Sequence, residues 1–261
     1  MEYALIGYNI KKSLSPKIHK LISLYESTNY NYTLNEINNL KELNELLINK
    51  YFKGINITSP YKKDVLKYLD NQNEIVKGTN SCNTIKKINN KLFGYNTDYL
   101  GFKDSLLYYN LDLNNKDVYI IGNGGVSLTV KKALEELGAN VICICRNPLK
   151  NNNFKKIINI KDYLDIKKGY LLINCSTAGM NNEQLFINEF YKRFEYGYDL
   201  IYNNTPFLNL VNNPINGKYM VISQAVNAYE IWMDKKINHK NELINKIMEN
   251  LLWIHLEEYL K

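Results

Sequence analysis

Short apolar runs alternate with segments of helical period along the chain, and the pattern changes character near the middle. In the first part the apolar runs are brief. Ala4–Ile6 reads as a strand, and Ile55 and Ile57 alternate with Asn56 and Thr58, the pattern of a strand with one face buried and one face free. Pro60 ends that strand, which places Lys62 at the opening of the next helix. Ser15-Pro16 reads as a helix start, with serine as N-cap and proline at the first helical position. Ile18, Leu21 and Ile22 follow at helical spacing. Asn38 to Asn49 carries Leu40, Leu43, Leu46 and Leu47 on one amphipathic stripe.

From about Asn114 the apolar runs become continuous: Val118–Ile121, Val141–Cys145, Leu171–Asn174, Tyr198–Tyr202 and Met220–Ile222. Runs of this kind suit parallel strands covered on both faces. Gly138 follows Leu134-Glu135-Glu136-Leu137 as a helix C-cap. A last helix is expected from about Glu242 to Tyr259, with Leu243, Ile244, Ile247, Leu251, Leu252 and Ile254 on a broad apolar stripe. The fold expected is α/β: an N-terminal α/β domain over residues 1–100, then a doubly wound, Rossmann-type domain over 101–230. C-terminal helices over 231–261 pack back on the first domain. A helix near Leu100–Tyr109 joins the halves, with no internal repeat and no flexible linker.

Composition narrows the function classes. A length of 261 residues suits two modest domains, and 45% apolar with 23% charged residues is ordinary for a soluble protein. The net charge of +7 comes from lysines spread along the chain, which favours a solvated surface with anion sites over a nucleic-acid interface. No stretch approaches the roughly 20 apolar residues of a membrane span. Met1-Glu2-Tyr3 leads straight into the first strand, so no signal peptide is expected. Cys82, Cys143, Cys145 and Cys175 lack CxxC spacing and read as buried thiols in a reducing cytoplasm. Three histidines (His19, His239, His255) with no HExxH give a metal mechanism little support.

Gly122, Gly124 and Gly125 sit where the Val118–Ile121 strand turns into a helix. Glycines there permit a tight turn and let backbone N–H groups approach a diphosphate at the positive end of a helix dipole. Ser127 stands at the place of the last glycine of GxGxxG, and a plain βα turn would use the same residues. The next strand ends in Cys145-Arg146-Asn147, with Lys150 beyond, where dinucleotide folds meet the adenosine ribose. Arginine offers a 2′-phosphate a bidentate, charge-assisted contact, and no carboxylate stands there for a free 2′-hydroxyl. NADP is therefore expected over NAD, a solvated basic loop being the alternative.

Further motifs follow one another in order. They are Gly7 with Ser13-Leu14-Ser15-Pro16-Lys17-Ile18-His19; Gly54-Ile55-Asn56-Ile57-Thr58-Ser59-Pro60-Tyr61-Lys62; Asn83-Thr84; and Asn96-Thr97-Asp98 with Gly101. After the turn Gly122-Asn123-Gly124-Gly125-Val126 come Asn174-Cys175-Ser176-Thr177-Ala178-Gly179-Met180, Asp199 to Tyr202, Thr205-Pro206-Phe207-Leu208 and Gly217 to Gln224-Ala225. Over essentially its whole length the sequence resembles the shikimate dehydrogenase family. The resemblance implies NADPH-dependent, reversible reduction of 3-dehydroshikimate to shikimate, a step of chorismate and aromatic amino acid biosynthesis. Residues 1–100 would bind substrate and 101–230 the nucleotide.

Carbonyl reduction builds negative charge on oxygen, so a positioned proton donor lowers the barrier. The resemblance gives that role to Lys62, with Asp98 holding the lysine and a substrate hydroxyl. It gives Ser13 and Ser15 to the substrate carboxylate, and Asn56, Thr58, Asn83, Tyr202 and Gln224 to hydroxyls or carboxylate. For the cofactor it implies Gly122, Asn123, Gly124, Gly125, Val126, Arg146, Lys150, Ser176, Leu200, Gly217 and Glu74. Structural readings compete at several positions: Lys62 as a helix-start surface lysine, Asp98 and Ser15 as N-caps, Thr58 and Tyr202 as strand residues, Gln224 at a helix start.

Several residues depart from the family pattern: Lys12 for histidine, Asn80 for glycine, Leu128 for a basic or small residue, Cys145 and Asn147 beside Arg146, and Tyr219 for glycine. Cys145 and Asn147 thin the 2′-phosphate site, and Lys12 with Tyr219 leaves open a related polyol acid such as quinate. A non-catalytic sensor of the same fold would be marked by loss of Lys62 or Asp98, and both are present. The partner expected is a small molecule, with no nucleic acid, membrane or metal, for a cytoplasmic monomer or homodimer.

Overall fold

The computed structural model describes residues 2–148 and 153–259, with side chains as far as Leu251. Its contacts divide the chain into two units, Met1–Gly101 with Ile222–Lys261, and Phe102–Val221.

The first unit runs β1 (Tyr3–Gly7), α1 (Ser15–Tyr25), β2 (Tyr32–Glu36), α2 (Leu40–Asn49) and β3 (Gly54–Ile57). A 3-10 helix (Asp64–Tyr68) leads to β4 (Asn71–Gln72), α3 (Glu74–Thr79), β5 (Thr84–Ile88), β6 (Lys91–Tyr95) and α4 (Thr97–Tyr108). The strands form one six-stranded mixed sheet in the order β2-β1-β3-β5-β6-β4. β1 pairs parallel with β2 and β3, whereas β5 runs antiparallel to β3 and β6. Strand alternation sends Ala4, Ile6, Ile55 and Ile57 into one core with Leu43 and Leu47 of α2. The opposite face of the sheet carries Tyr3 and Tyr32 against Trp232, with Tyr32 also stacked on His19. Gly54 opens β3 because the Trp232 indole occupies the space a Cβ would need, and that indole donates to the Ile85 carbonyl at 3.0 Å.

The second unit begins in the later turns of α4 and continues β7 (Asp117–Ile121), α5 (Gly125–Glu136), β8 (Asn140–Cys145), β9 (Lys156–Asn159), β10 (Gly169–Asn174), α6 (Asn188–Tyr191), β11 (Phe194–Asp199), α7 (Pro206–Leu210) and β12 (Asn213–Asn216). Its strand order is β12-β11-β10-β7-β8-β9, and every pairing is parallel. This is the doubly wound Rossmann order, with the direction of winding reversed between β7 and β10. Leu171, Leu172, Ile173, Val118 and Ile120 have no exposed surface, which is why their runs are apolar without alternation. The chain returns to the first unit along α8 (Lys218–Met233). α9 (Lys240–Tyr259) packs against α1 and buries Leu243, Ile244 and Ile247.

Five local expectations are corrected. Met220–Ile222 is not a strand but part of α8; three apolar residues fit a buried helix as well as a strand, and the last strand is the more polar Asn213–Asn216. The run assigned to Tyr198–Tyr202 begins earlier, at Phe194, and ends at Asp199, so Tyr202 lies beyond the strand. Residues 222–230, assigned above to the nucleotide domain, group with the first unit, because the division falls inside the continuous helix α8. Ser15 is the first residue of α1 rather than its cap; Leu14 precedes it, and the Ser13 hydroxyl oxygen accepts from the Ser15 N–H at 3.2 Å. Lys62 lies in a turn before the 3-10 helix rather than opening an α-helix.

Candidate active site

Lys62 is held by its backbone on both sides. The Tyr61 N–H donates to the Thr58 carbonyl at 3.1 Å, closing the turn after β3, and the Lys62 carbonyl accepts from the Cys82 N–H at 3.0 Å. That second bond ties the turn to the segment leading into β5. The Lys62 Nζ meets Asp98 Oδ2 at 2.5 Å, with the two side chains 24% and 15% exposed. Asp98 stands in the first turn of α4 but does not cap it. The cap is Asn96, whose Oδ1 accepts from the Tyr99 N–H at 3.1 Å while its Nδ2 donates to Thr79 Oγ1 and the Ser81 carbonyl. With the helix terminus served by Asn96, the Asp98 carboxylate is available to the lysine.

Beside this ion pair lies a buried amide–hydroxyl cluster. Asn83 Oδ1 accepts from the Thr97 N–H at 2.6 Å, and Asn83 Nδ2 donates to Thr97 Oγ1 at 3.0 Å. Thr97 Oγ1 is 2.9 Å from Thr84 Oγ1 and 3.5 Å from Gln224 Oε1 on α8. Asn56 extends the cluster across the sheet: its Nδ2 donates to Thr84 Oγ1 at 3.0 Å, and its Oδ1 accepts from the Tyr32 hydroxyl at 2.8 Å. Asn56 is 4% exposed, so its amide is committed to protein partners. Thr58 is partly buried where the chain leaves β3, on the same side as Asn56 by alternation. At the start of α1, Ser13 Oγ donates to Ser15 Oγ at 3.1 Å. His19 lies beneath, fully enclosed, and burial pushes its imidazole down to about 3, so it stays neutral.

Lys62, Asp98, Ser13, Ser15, Asn56, Thr58, Asn83 and Gln224 thus fall in one unit, whereas Tyr202 belongs to the other. The participation of Thr84 and Thr97 was visible in the sequence only as letters inside matched motifs. Tyr32 had no signal, being one tyrosine among 22.

The glycine-rich turn is built in the second unit. Gly122 has φ +95°, a conformation that favours glycine, and its N–H donates to the Ile144 carbonyl at 2.8 Å. Gly124 precedes α5 with no side-chain cap, and a Cβ on either Gly124 or Gly125 would meet nothing within 4 Å. An uncapped helix N-terminus facing open space fits a diphosphate. Ser127, in place of the last glycine, is buried and donates to the Gly124 carbonyl at 2.6 Å, closing the turn. Asn123 Nδ2 donates to the Asn147 carbonyl at 3.2 Å, drawing the turn to the segment of exposed Arg146. Arg146 at the end of β8, with no acidic neighbour in sequence, fits a phosphate ester. Lys150 lies outside the described residues.

Ser176 borders Gly122, and its hydroxyl donates to Asn174 Oδ1 at 2.7 Å. Asn174 in turn donates to Asp199 at 3.0 Å, and Thr205 donates to the same carboxylate at 2.7 Å. Burial raises the Asp199 pKa, and these hydrogen bonds oppose the rise. Gly217 lies so close to the Leu200 carbonyl that a Cβ would overlap it. Tyr219 turns inward and stacks on Tyr108, ring centroids 4.2 Å apart, so this departure from the family pattern fills core. Glu74 is on the exposed first turn of α3 in the first unit, paired with Lys77 at 2.8 Å, and shares no unit with the glycine-rich turn. Among the described residues no cluster of His, Cys, Asp and Glu could hold a metal ion, and no helix is long and apolar enough to cross a membrane.

Comparison with known proteins agrees with this geometry. Residues 5–85 match the family model for the shikimate dehydrogenase substrate binding domain. The chain is 34% identical to the shikimate dehydrogenase (NADP(+)) of Clostridium beijerinckii, over 95% of this chain and 98% of that protein. It is 36% identical to the shikimate dehydrogenase (NADP(+)) of Clostridium botulinum, over 87% of this chain and 95% of that one. Among solved structures, a chorismate mutase/shikimate 5-dehydrogenase fusion protein from Clostridium acetobutylicum superposes with a TM-score of 0.86 at 32% identity, covering 95% of this chain and 96% of that one. The likeness spans both units and includes every motif from which the site is built, so the chain belongs to the shikimate dehydrogenase family.

Proposed function

We infer that this chain catalyses the NADPH-dependent, reversible reduction of 3-dehydroshikimate to shikimate. The observation that carries the reading is the Lys62–Asp98 pair at 2.5 Å, set beside the Asn83–Thr97–Gln224 cluster. Lys62 Nζ delivers a proton to the oxygen as the substrate carbonyl gains electrons, and takes it back in the oxidation direction. Asp98 keeps the ammonium in place and accepts from a neighbouring substrate hydroxyl. Ser13, Ser15, Thr58, Asn83 and Gln224 supply short polar side chains for the remaining hydroxyls and the carboxylate. NADPH, when bound, supplies the hydride. Gly122 to Val126, Arg146, Ser176, Leu200 and Gly217 are the residues that would hold it, the open space in front of Gly124 and Gly125 supporting the diphosphate position. A cytoplasmic monomer or homodimer working on a small polyol acid, without nucleic acid, completes the reading.

The test is Lys62→Ala. Turnover with shikimate and NADP+ should fall by about 10²–10⁴-fold, the range for losing a positioned acid or base. Shikimate affinity, measured by calorimetry, should stay close to wild type. Near-normal turnover would make Lys62 a surface residue and remove the mechanism.

A further inference from the structure

The two halves of the polar site in the first unit are joined through one side chain. The Tyr32 hydroxyl donates to Asn56 Oδ1 at 2.8 Å, and the Ser15 side chain hydrogen-bonds to the same phenol. Ser15 accepts from Ser13 at 3.1 Å, while Asn56 donates to Thr84 Oγ1 at 3.0 Å and to the Asn83 carbonyl at 3.3 Å. The donors run in one sense: Ser13 to Ser15, Ser15 to Tyr32, Tyr32 to Asn56, and Asn56 to the Asn83–Thr84 segment. Because the phenol proton is committed to Asn56, the phenol oxygen is left as an acceptor, which fixes the orientation of the Ser15 hydroxyl. The commitment also fixes which end of the Asn56 amide faces the Thr84 and Thr97 hydroxyls.

We propose that Tyr32 is a positioning residue of the substrate site, orienting the Ser15 hydroxyl and the Asn56 amide through its own hydroxyl. Burial raises the pKa of this phenol, so it remains a donor across the working pH range. Its ring, stacked on His19 with centroids 3.8 Å apart, holds the hydroxyl in place. Tyr30 is the natural contrast. It belongs to the same aromatic cluster, but its hydroxyl shares its hydrogen bonds with His19, through Nδ1 at 2.7 Å and the backbone carbonyl at 3.2 Å.

The inference rests on the reading of Ser13 and Ser15 as substrate contacts, and the experiment separates the two. Steady-state kinetics of wild type, Tyr32→Phe, Tyr30→Phe, Ser15→Ala and the Tyr32→Phe/Ser15→Ala double variant are compared, with thermal midpoints. Tyr32→Phe should raise the KM for shikimate by about tenfold, the scale of one lost hydrogen bond, with kcat and the KM for NADP+ within about twofold. The double variant should show a KM rise clearly smaller than the product of the two single effects. Tyr30→Phe should lower the thermal midpoint with the KM for shikimate unchanged. An unchanged KM in Tyr32→Phe, a fully multiplicative double variant, or an equal KM rise in Tyr30→Phe would each overturn the proposal, since Tyr32 would then be a core residue only. Wild type without activity on shikimate would overturn the functional reading itself, and this proposal with it.

Discussion

At the residue scale, the distinction that matters is between groups that serve the fold and groups left over for chemistry. Asn96, Thr97 and Asp98 are consecutive and all suit a helix start, and nothing in their order says which one caps α4. In the structure Asn96 takes the cap, Thr97 joins the buried cluster, and Asp98 meets Lys62. The same division recurs at α1, where Ser13 accepts the Ser15 N–H and the side chain of Ser15 is freed from capping. The motif order made Lys62 and Asp98 legible, but their hydrogen-bond partners were not, because partners come from distant strands. Two substitutions should separate the roles. Asp98→Asn should lower turnover strongly and leave the thermal midpoint near wild type, since the carboxylate carries no cap. Asn96→Ala should cost about 0.5–2 kcal/mol from the lost cap, with a further penalty from the donors and acceptors it leaves buried. A large fall in melting temperature for Asp98→Asn with retained turnover would invert this assignment.

At the element scale, continuous apolar runs announced the parallel sheet, and four of the five runs expected beyond Asn114 are strands in it, one with shifted bounds. Met220–Ile222 failed because a three-residue run has no period: the same residues are buried on α8, with Tyr219 stacked on Tyr108 and Ile222 fully enclosed. The β7–α5 turn was legible from its glycines, while the open space in front of them was not, since that depends on what every other side chain leaves empty. Gly125→Val uses that space as a probe. A Cβ at Gly125 meets nothing within 4 Å, and valine is a better helix former than glycine, so the fold should keep its stability. The added bulk should nevertheless obstruct a diphosphate and raise the KM for NADP+ by about tenfold or more, with little change in the KM for shikimate. An unchanged KM for NADP+ would mean that the turn is not the phosphate cradle.

At the scale of the whole molecule, two units of different sheet type are carried by one chain that crosses between them along α4 and returns along α8. The return was misplaced by the sequence reading because a continuous helix contains no boundary signal; no glycine, proline or polar break marks residue 221. Identity of 34% over 95% of the chain to a curated shikimate dehydrogenase accords with a full set of site residues, including Lys62, Asp98 and the glycine-rich turn. Cofactor and substrate choice belong to this scale, since they depend on the assembled enzyme rather than on one contact. Arg146 without a carboxylate beside it favours NADP+, and the inward turn of Tyr219 removes one reason to expect a different polyol acid. The central claim is tested most directly by initial rates of the purified full chain with shikimate or quinate against NADP+ or NAD+. The account predicts NADP+-dependent oxidation of shikimate with kcat/KM at least about tenfold above quinate, and above NAD+ by one to two decades, the scale of a lost charge-assisted phosphate contact. Absence of turnover with shikimate and NADP+, or a clear preference for quinate or NAD+, would contradict it.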